Sequence, residues 1–249
     1  MLDPTGLYEL TGDAPELDRP VLLHSLSGFM DAGNAGQGLV DHILATFEHH
    51  ELARFDTDLL LDYRARRPQL RFVEDRFEGY AAPELILRVV YDAAGTPFLL
   101  LSGPEPDVMW ERFITAVASL IERFGVRLTI GAHGIPMAVP HTRPLGVTMH
   151  GTRRELVTVI NPWRGEINVP SSVGSLLELR LGELGHDAMG VVAHVPHYLS
   201  EAEYPDASLA LLRAVEPAGN LALQSEPLLR SAEETRLVVQ QQVDESEEI

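Results

Sequence analysis

Three short stretches hold the residues whose types and spacing could do chemistry: "LSGFMDAGNAGQG" at 26–38, "GAHGIPMAVPHTRP" at 131–144 and "HVPHYLSEAEYP" at 194–205. In the first, Gly28, Gly33, Gly36 and Gly38 follow an apolar run and enclose Asp31 and Asn34. Amides exposed at a helix start can hold a phosphate. A dinucleotide fingerprint, however, reads G-x-G-x-x-G, whereas Gly33, Gly36 and Gly38 read G-x-x-G-x-G, and Asp31 brings negative charge to the place of the pyrophosphate. The favoured reading is therefore structural: Gly28 and Gly33 shape a turn, Asp31 or Asn34 caps a helix, and Gly36 and Gly38 let it lie close on a sheet. A small-anion site on the same amides is the alternative.

In the second stretch His133 ends a strand, and two Gly/Pro turns then deliver His141, Thr142 and Arg143 in a stiff loop. Guanidinium, imidazole and hydroxyl together suit a carboxylate or phosphate. The plainer reading is a loop held by hydrogen bonds, or a subunit contact. In the third stretch His194 and His197 suggest a metal pair, but Pro196 between them denies the helical i, i+4 geometry of zincin ligands, so no metal is expected. Ser171 and Ser172 are nucleophile candidates by type, yet no G-x-S-x-G elbow surrounds them, and a serine pair before a helix is also a cap. Tyr204 completes the candidate pocket or partner-contact set.

These loops need elements to hold them. Short apolar runs bounded by Gly, Pro or Asp predict strands at 21–27, 55–61, 84–91, 97–101, 126–132, 145–149 and 188–195. Helical stripes are predicted at 34–48, at 107–124 from an Asp107 cap to a stop before Gly125, and at 172–184. The alternation implies an α/β fold with helices on both sides of a largely parallel sheet. Pro217, Gly219 and Pro227 suggest a connection, so a core domain over 1–216 and an arm over 217–249 are expected. Ser231 and Glu234, in capping-box spacing, open the arm's helix with Leu237, Val238 and Val243 as its stripe. Its acidity suggests an arm that packs on a partner subunit or stays solvated.

Composition excludes more than it selects. The chain of 249 residues is 45% apolar and 22% charged, an ordinary globular balance. It carries 37 acids against 19 basic residues, a net charge of -18, which repels nucleic acid and anionic membranes. All the basic residues are arginine. The missing lysine excludes a P-loop and Schiff-base chemistry, no cofactor motif passes its test, and none is expected. Without cysteine there is no disulfide or thiolate, and without an apolar run of about 18 residues or a signal-like start a soluble cytoplasmic protein is expected.

"GFMDAGNAGQG", "GIPMAVPHTRP", "VPSSVGSLLELRLGELGHDAMGVVAHVPHYL" and "AEYPDASLALL" together resemble the proteasome assembly chaperone 2 family in its actinobacterial branch, from about residue 20 to the C-terminus. The resemblance implies a three-layer α/β/α sandwich, similar to the phosphorylase and peptidase group, with a small helical C-terminal appendage. It also implies a non-enzymatic module that forms homo-oligomers and binds proteasome α-type subunits. Some relatives dock through a hydrophobic-Tyr-X tail; this chain ends Glu247-Glu248-Ile249, so that mode is not expected. The competing reading is a phosphorylase- or hydrolase-like enzyme with a pocket formed by loops 28–34, 133–144 and 194–204. There Arg143 holds an anion, His141 or His197 moves a proton and Asp31 orients it. Some family labels name an ATP-dependent carboxylate-amine ligase, which the absent lysines oppose. The binding module is favoured because no nucleophile, metal set or phosphate loop passes its own test.

Overall fold

The computed structural model describes residues 4–11, 16–159 and 165–245. Its elements in chain order are β1 (Tyr8–Leu10), β2 (Val21–Ser27), α1 (Ala35–Thr46), β3 (His49–Phe55), α2 (Thr57–Leu60), β4 (Leu70–Val73), β5 (Arg76–Tyr80), β6 (Ile86–Tyr91), β7 (Pro97–Pro104), α3 (Trp110–Phe124), β8 (Leu128–Met137), β9 (Val147–Gly151), α4 (Val173–Glu183), β10 (Ala188–Pro196), α5 (Pro205–Gly219) and α6 (Glu226–Glu245). The main sheet runs β1-β3-β6-β7-β2-β8-β10-β9. Its centre, β7-β2-β8-β10, is parallel, and the flanking pairs are antiparallel.

Alternation along β2 separates the two cores. Val21 and Leu23 face α1, α5 and the start of α6, whereas Leu22 faces α3 and α4. This is the three-layer α/β/α sandwich. Helix α3 forms because Phe113, Val117, Leu120 and Phe124 fall on one face and are buried, and it ends where Gly125 takes φ +62°.

Several expected elements shift for local reasons. The strand expected at 55–61 lies at 49–55, since Asp56 accepts the Asp58 amide at 3.0 Å and starts the single turn α2. Helix α3 begins at Trp110 rather than at Asp107, whose carboxylate instead meets the Arg66 guanidinium and the Asp62 amide. Strand β8 continues past His133 to Met137. β2 pairs with β8 only as far as Gly131, so Pro136 stands where one edge of the strand is free and its missing N–H breaks no ladder.

The C-terminal region differs most. Helix α5, which is not among the expected helices, runs through the expected boundary at 217 and ends at Gly219. Nine of its fifteen residues are buried, so it lacks the wide polar face that reveals a helix in sequence. Helix α6 starts at Glu226, five residues before Ser231, with Pro227 in its first turn, where a missing amide costs nothing. Its inward residues are Leu228, Ala232 and Val239, not the expected stripe: Leu237 and Val238 are 73% and 55% exposed. Asp206 of α5 and Arg236 of α6 form an ion pair. The arm thus packs on its own chain. The tail 246–249, with the Glu247-Glu248-Ile249 ending, lies outside the described residues.

Candidate functional site

The glycine-rich stretch is a turn filled by its own carboxylate. Asp31 Oδ1 accepts the amides of Gly36 at 2.9 Å and Gly134 at 3.0 Å, and Oδ2 accepts that of Gln37 at 3.0 Å. An anion placed at the start of α1 would need these same donors. Gly33 takes φ +68°, donates to the Ser200 carbonyl at 2.7 Å and accepts from the Tyr204 amide at 2.9 Å. Asn34, at φ 49°, donates its amide to the Asp31 carbonyl. Gly36 packs on the sheet, since a Cβ there would meet Ser25 Oγ at 2.3 Å. Gly38 faces α5 rather than the sheet, with Ser208 Oγ at 2.4 Å from its virtual Cβ.

A second carboxylate fills the start of α4 in the same way. Glu105, at the end of β7, is buried, and its oxygens accept Val173 N–H at 2.6 Å and Phe29 N–H at 3.2 Å. Gly28 has no side chain because a Cβ there would lie 2.2 Å from Glu105 Oε2. Nothing in "SGPEPD" marks Glu105 as different from its neighbours; only the fold brings it to a helix start 68 residues away. Ser172 is the N-cap of α4 in a reciprocal capping box with Ser175, which accounts for its hydroxyl. Ser171 lies on a small cavity with Phe29, Glu105 and Trp110.

The histidines are spread over different neighbourhoods. His194 is buried, its Nε2 lies 2.8 Å from Thr148 Oγ1, and burial lowers its pKa. Tyr204 is buried, which raises its phenol to about 12. His197 meets Tyr198 edge to face. The Tyr198 hydroxyl lies 2.9 Å from the His141 amide, from which it accepts, and 2.7 Å from His141 Nδ1. Asp31 lines a cavity with Met30, Gln37 and Ser200, whereas His141 and Arg143 line a different one. The structure therefore does not bring the anion holder, the proton carrier and the orienting acid of the enzyme reading to one cavity.

A further histidine row was not singled out by any motif. Across the sheet, His24, Gly131, Gly190 and His150 stand in register on β2, β8, β10 and β9. The rings occupy the space that Cβ atoms on the two glycines would need. Burial pushes His24 down to about 4 and lowers His133, while the Glu178 carboxylate, 2.9 Å from Nδ1, raises His150.

Two further surfaces among the described residues present apolar side chains. Strands β4 and β5 form a separate two-stranded sheet with Glu74 and Asp75 as its turn, and Leu70, Phe72, Phe77 and Tyr80 are 49–67% exposed on it. Phe72 and Phe77 pack with ring centroids 5.1 Å apart. The second is a groove of about 800 Å³ between β9, α5 and α6.

Filled strand ends on an α/β/α sandwich define a class of fold rather than a reaction. The chain belongs to the PAC2 family, which matches residues 25–243. It is similar to a Mycobacterium tuberculosis protein of unknown function, Rv2714, at 47% identity and TM-score 0.95, covering 98% of this chain and 87% of that one. The M. tuberculosis proteasome-assembly chaperone homologue Rv2125 shares the fold at 23% identity and TM-score 0.84, over 92% and 97% of the two chains. So does Pyrococcus furiosus PbaB, an archaeal proteasome activator, at 17% identity and TM-score 0.69, over 96% and 99%. No curated protein matches the chain. Among the described residues no helix is long and apolar enough to cross a membrane.

Proposed function

We propose that this chain is a non-enzymatic, chaperone-like protein-binding module that works as a homo-oligomer in the cytoplasm and engages proteasome α-type subunits. Family membership supports the chaperone-like role, and the observation that carries the protein-binding reading is the β4–β5 hairpin. A lone hairpin with exposed aromatics is marginal in water and gains from being covered. Its occupant is a second copy of the chain. Two molecules of net charge -18 repel, but residues 70–80 hold Arg71 and Arg76 against Glu74, Asp75 and Glu78, a local balance of only -1. The apolar, nearly neutral hairpin is thus where two copies can approach. The filled amides at Gly36, Gln37 and Val173 favour this reading over the phosphorylase-like one.

Native mass spectrometry of the full chain, alone and with unassembled α-type subunits of the same organism, is the test. The reading expects an oligomer alone, which the Phe72→Ser/Phe77→Ser variant dissolves, and a mixed complex with the subunits. A monomer that also ignores the α-type subunits would overturn it.

A further inference from the structure

The groove beside β9 is charged against the trend of the molecule. Its described lining holds three arginines, Arg143, Arg213 and Arg236, and one acid, Asp206, in a chain whose net charge is -18. Arg236 is committed to Asp206, its Nε 3.0 Å from both carboxylate oxygens. Arg143 and Arg213 have no hydrogen-bond or ion-pair partner among the described residues. They stand on different elements, the loop before β9 and the exposed side of α5, and line the same cavity. The same lining is apolar elsewhere, with Leu145, Val147, Met149, Leu209 and Ala210.

His141 lines the same groove. Its Nε2 is buried and has no hydrogen-bond partner among the described residues. In the neutral ring whose Nδ1 accepts the Tyr198 hydroxyl proton, Nε2 carries the hydrogen and is a donor without an acceptor. A buried donor left unmade is costly.

We infer that this groove binds an amphipathic carboxylate, with the acid held by Arg143 and Arg213 beside His141 and the hydrocarbon chain laid along Val147, Met149 and Leu209. Arginine grips a carboxylate with paired N–H donors, and a groove of about 800 Å³ lies within the range of small-molecule sites. A bare inorganic anion would use the cations and leave the apolar lining wet. A neutral chain would use the apolar lining and leave the guanidiniums unmatched. Only a molecule carrying both features uses both parts. This site shares the loop after β8 but uses neither Asp31 nor Glu105, and it is independent of the hairpin contact proposed above.

Isothermal titration of the full-length protein with dodecanoate below its micelle concentration tests the inference, with acetate and dodecyltrimethylammonium as the head-only and reversed-charge probes. Dodecanoate is expected to bind one to one, at least tenfold more tightly than dodecyltrimethylammonium, and acetate to give no measurable heat. The Arg143→Gln/Arg213→Gln variant is expected to weaken dodecanoate binding at least tenfold without changing the melting temperature of the free protein. Ala210→Trp, which fills the groove and keeps both charges, is expected to abolish it. Equal binding of the two opposite charges, unchanged affinity in both variants, or no binding by any chain would overturn the inference.

Discussion

The carboxyl ends of the central strands and the face beside β9 use the same groups in opposite ways. At the strand ends, where α/β proteins usually hold ligands, Asp31 and Glu105 take up the amides at the starts of α1 and α4. Beside β9, Arg143 and Arg213 line an apolar groove and have no hydrogen-bond or ion-pair partner among the described residues. The first region is closed by its own chain; the second is left with unmet charge and unmet apolar surface. Ligand chemistry therefore does not follow from fold position alone. It follows from whether the chain supplies its own counter-group.

The closed region is the easier to break. Gly134→Ala puts a Cβ 2.2 Å from the Ala32 carbonyl oxygen, so backbone must move, and a loss of about 3 kcal/mol or more is expected in chemical unfolding. Asp31→Ala removes the acceptor of three amides and is expected to cost about 2–3 kcal/mol. If Asp31 instead served a ligand, that variant would unfold like the parent.

The histidine row under α4 sharpens the same contrast through pH. His24 titrates at about 4 when folded against 6.5 when free, so the unfolded chain binds the extra proton between these values. Its contribution is full above pH 6.5 and is lost as pH falls from 6.5 through about 4, a change of about 2–3 kcal/mol. Denaturant midpoints across that range should decline in the parent and decline less steeply in His24→Gln, where His133 and His194 still titrate. The smallest effect on stability belongs to the exposed hairpin. Phe72→Ser/Phe77→Ser should leave the monomer within about 0.5 kcal/mol of the parent while removing self-association by light scattering.

The elements with a clean apolar stripe were legible in sequence: α1, α3 and α4 lie within a few residues of their expected spans, as does the strand run of the central sheet. What failed was set by tertiary context. The inward face of α6 could not be read from its own pattern, because the arm turns Leu228 and Val239 toward α5 and leaves Leu237 outside. The hairpin at 70–80 went unmarked because β4 is only four residues long and its apolar side chains, Leu70 and Phe72, are about half exposed, so no continuous apolar run announces it. For the site, Asp31 was legible as a helix cap from its place before α1, whereas Glu105 was not. Arg143 stood out in a Pro-stiffened loop. Arg213 and Arg236 belonged to no motif until α5 and α6 brought them beside β9.

Amide hydrogen exchange of the full-length protein, measured at high and low protein concentration and with added phosphate, tests the contrast most directly. Residues 33–37 should be slow in every condition and indifferent to phosphate, while residues 70–80 should slow as concentration rises. Phosphate-dependent protection at 33–37, with no concentration dependence at 70–80, would contradict the account.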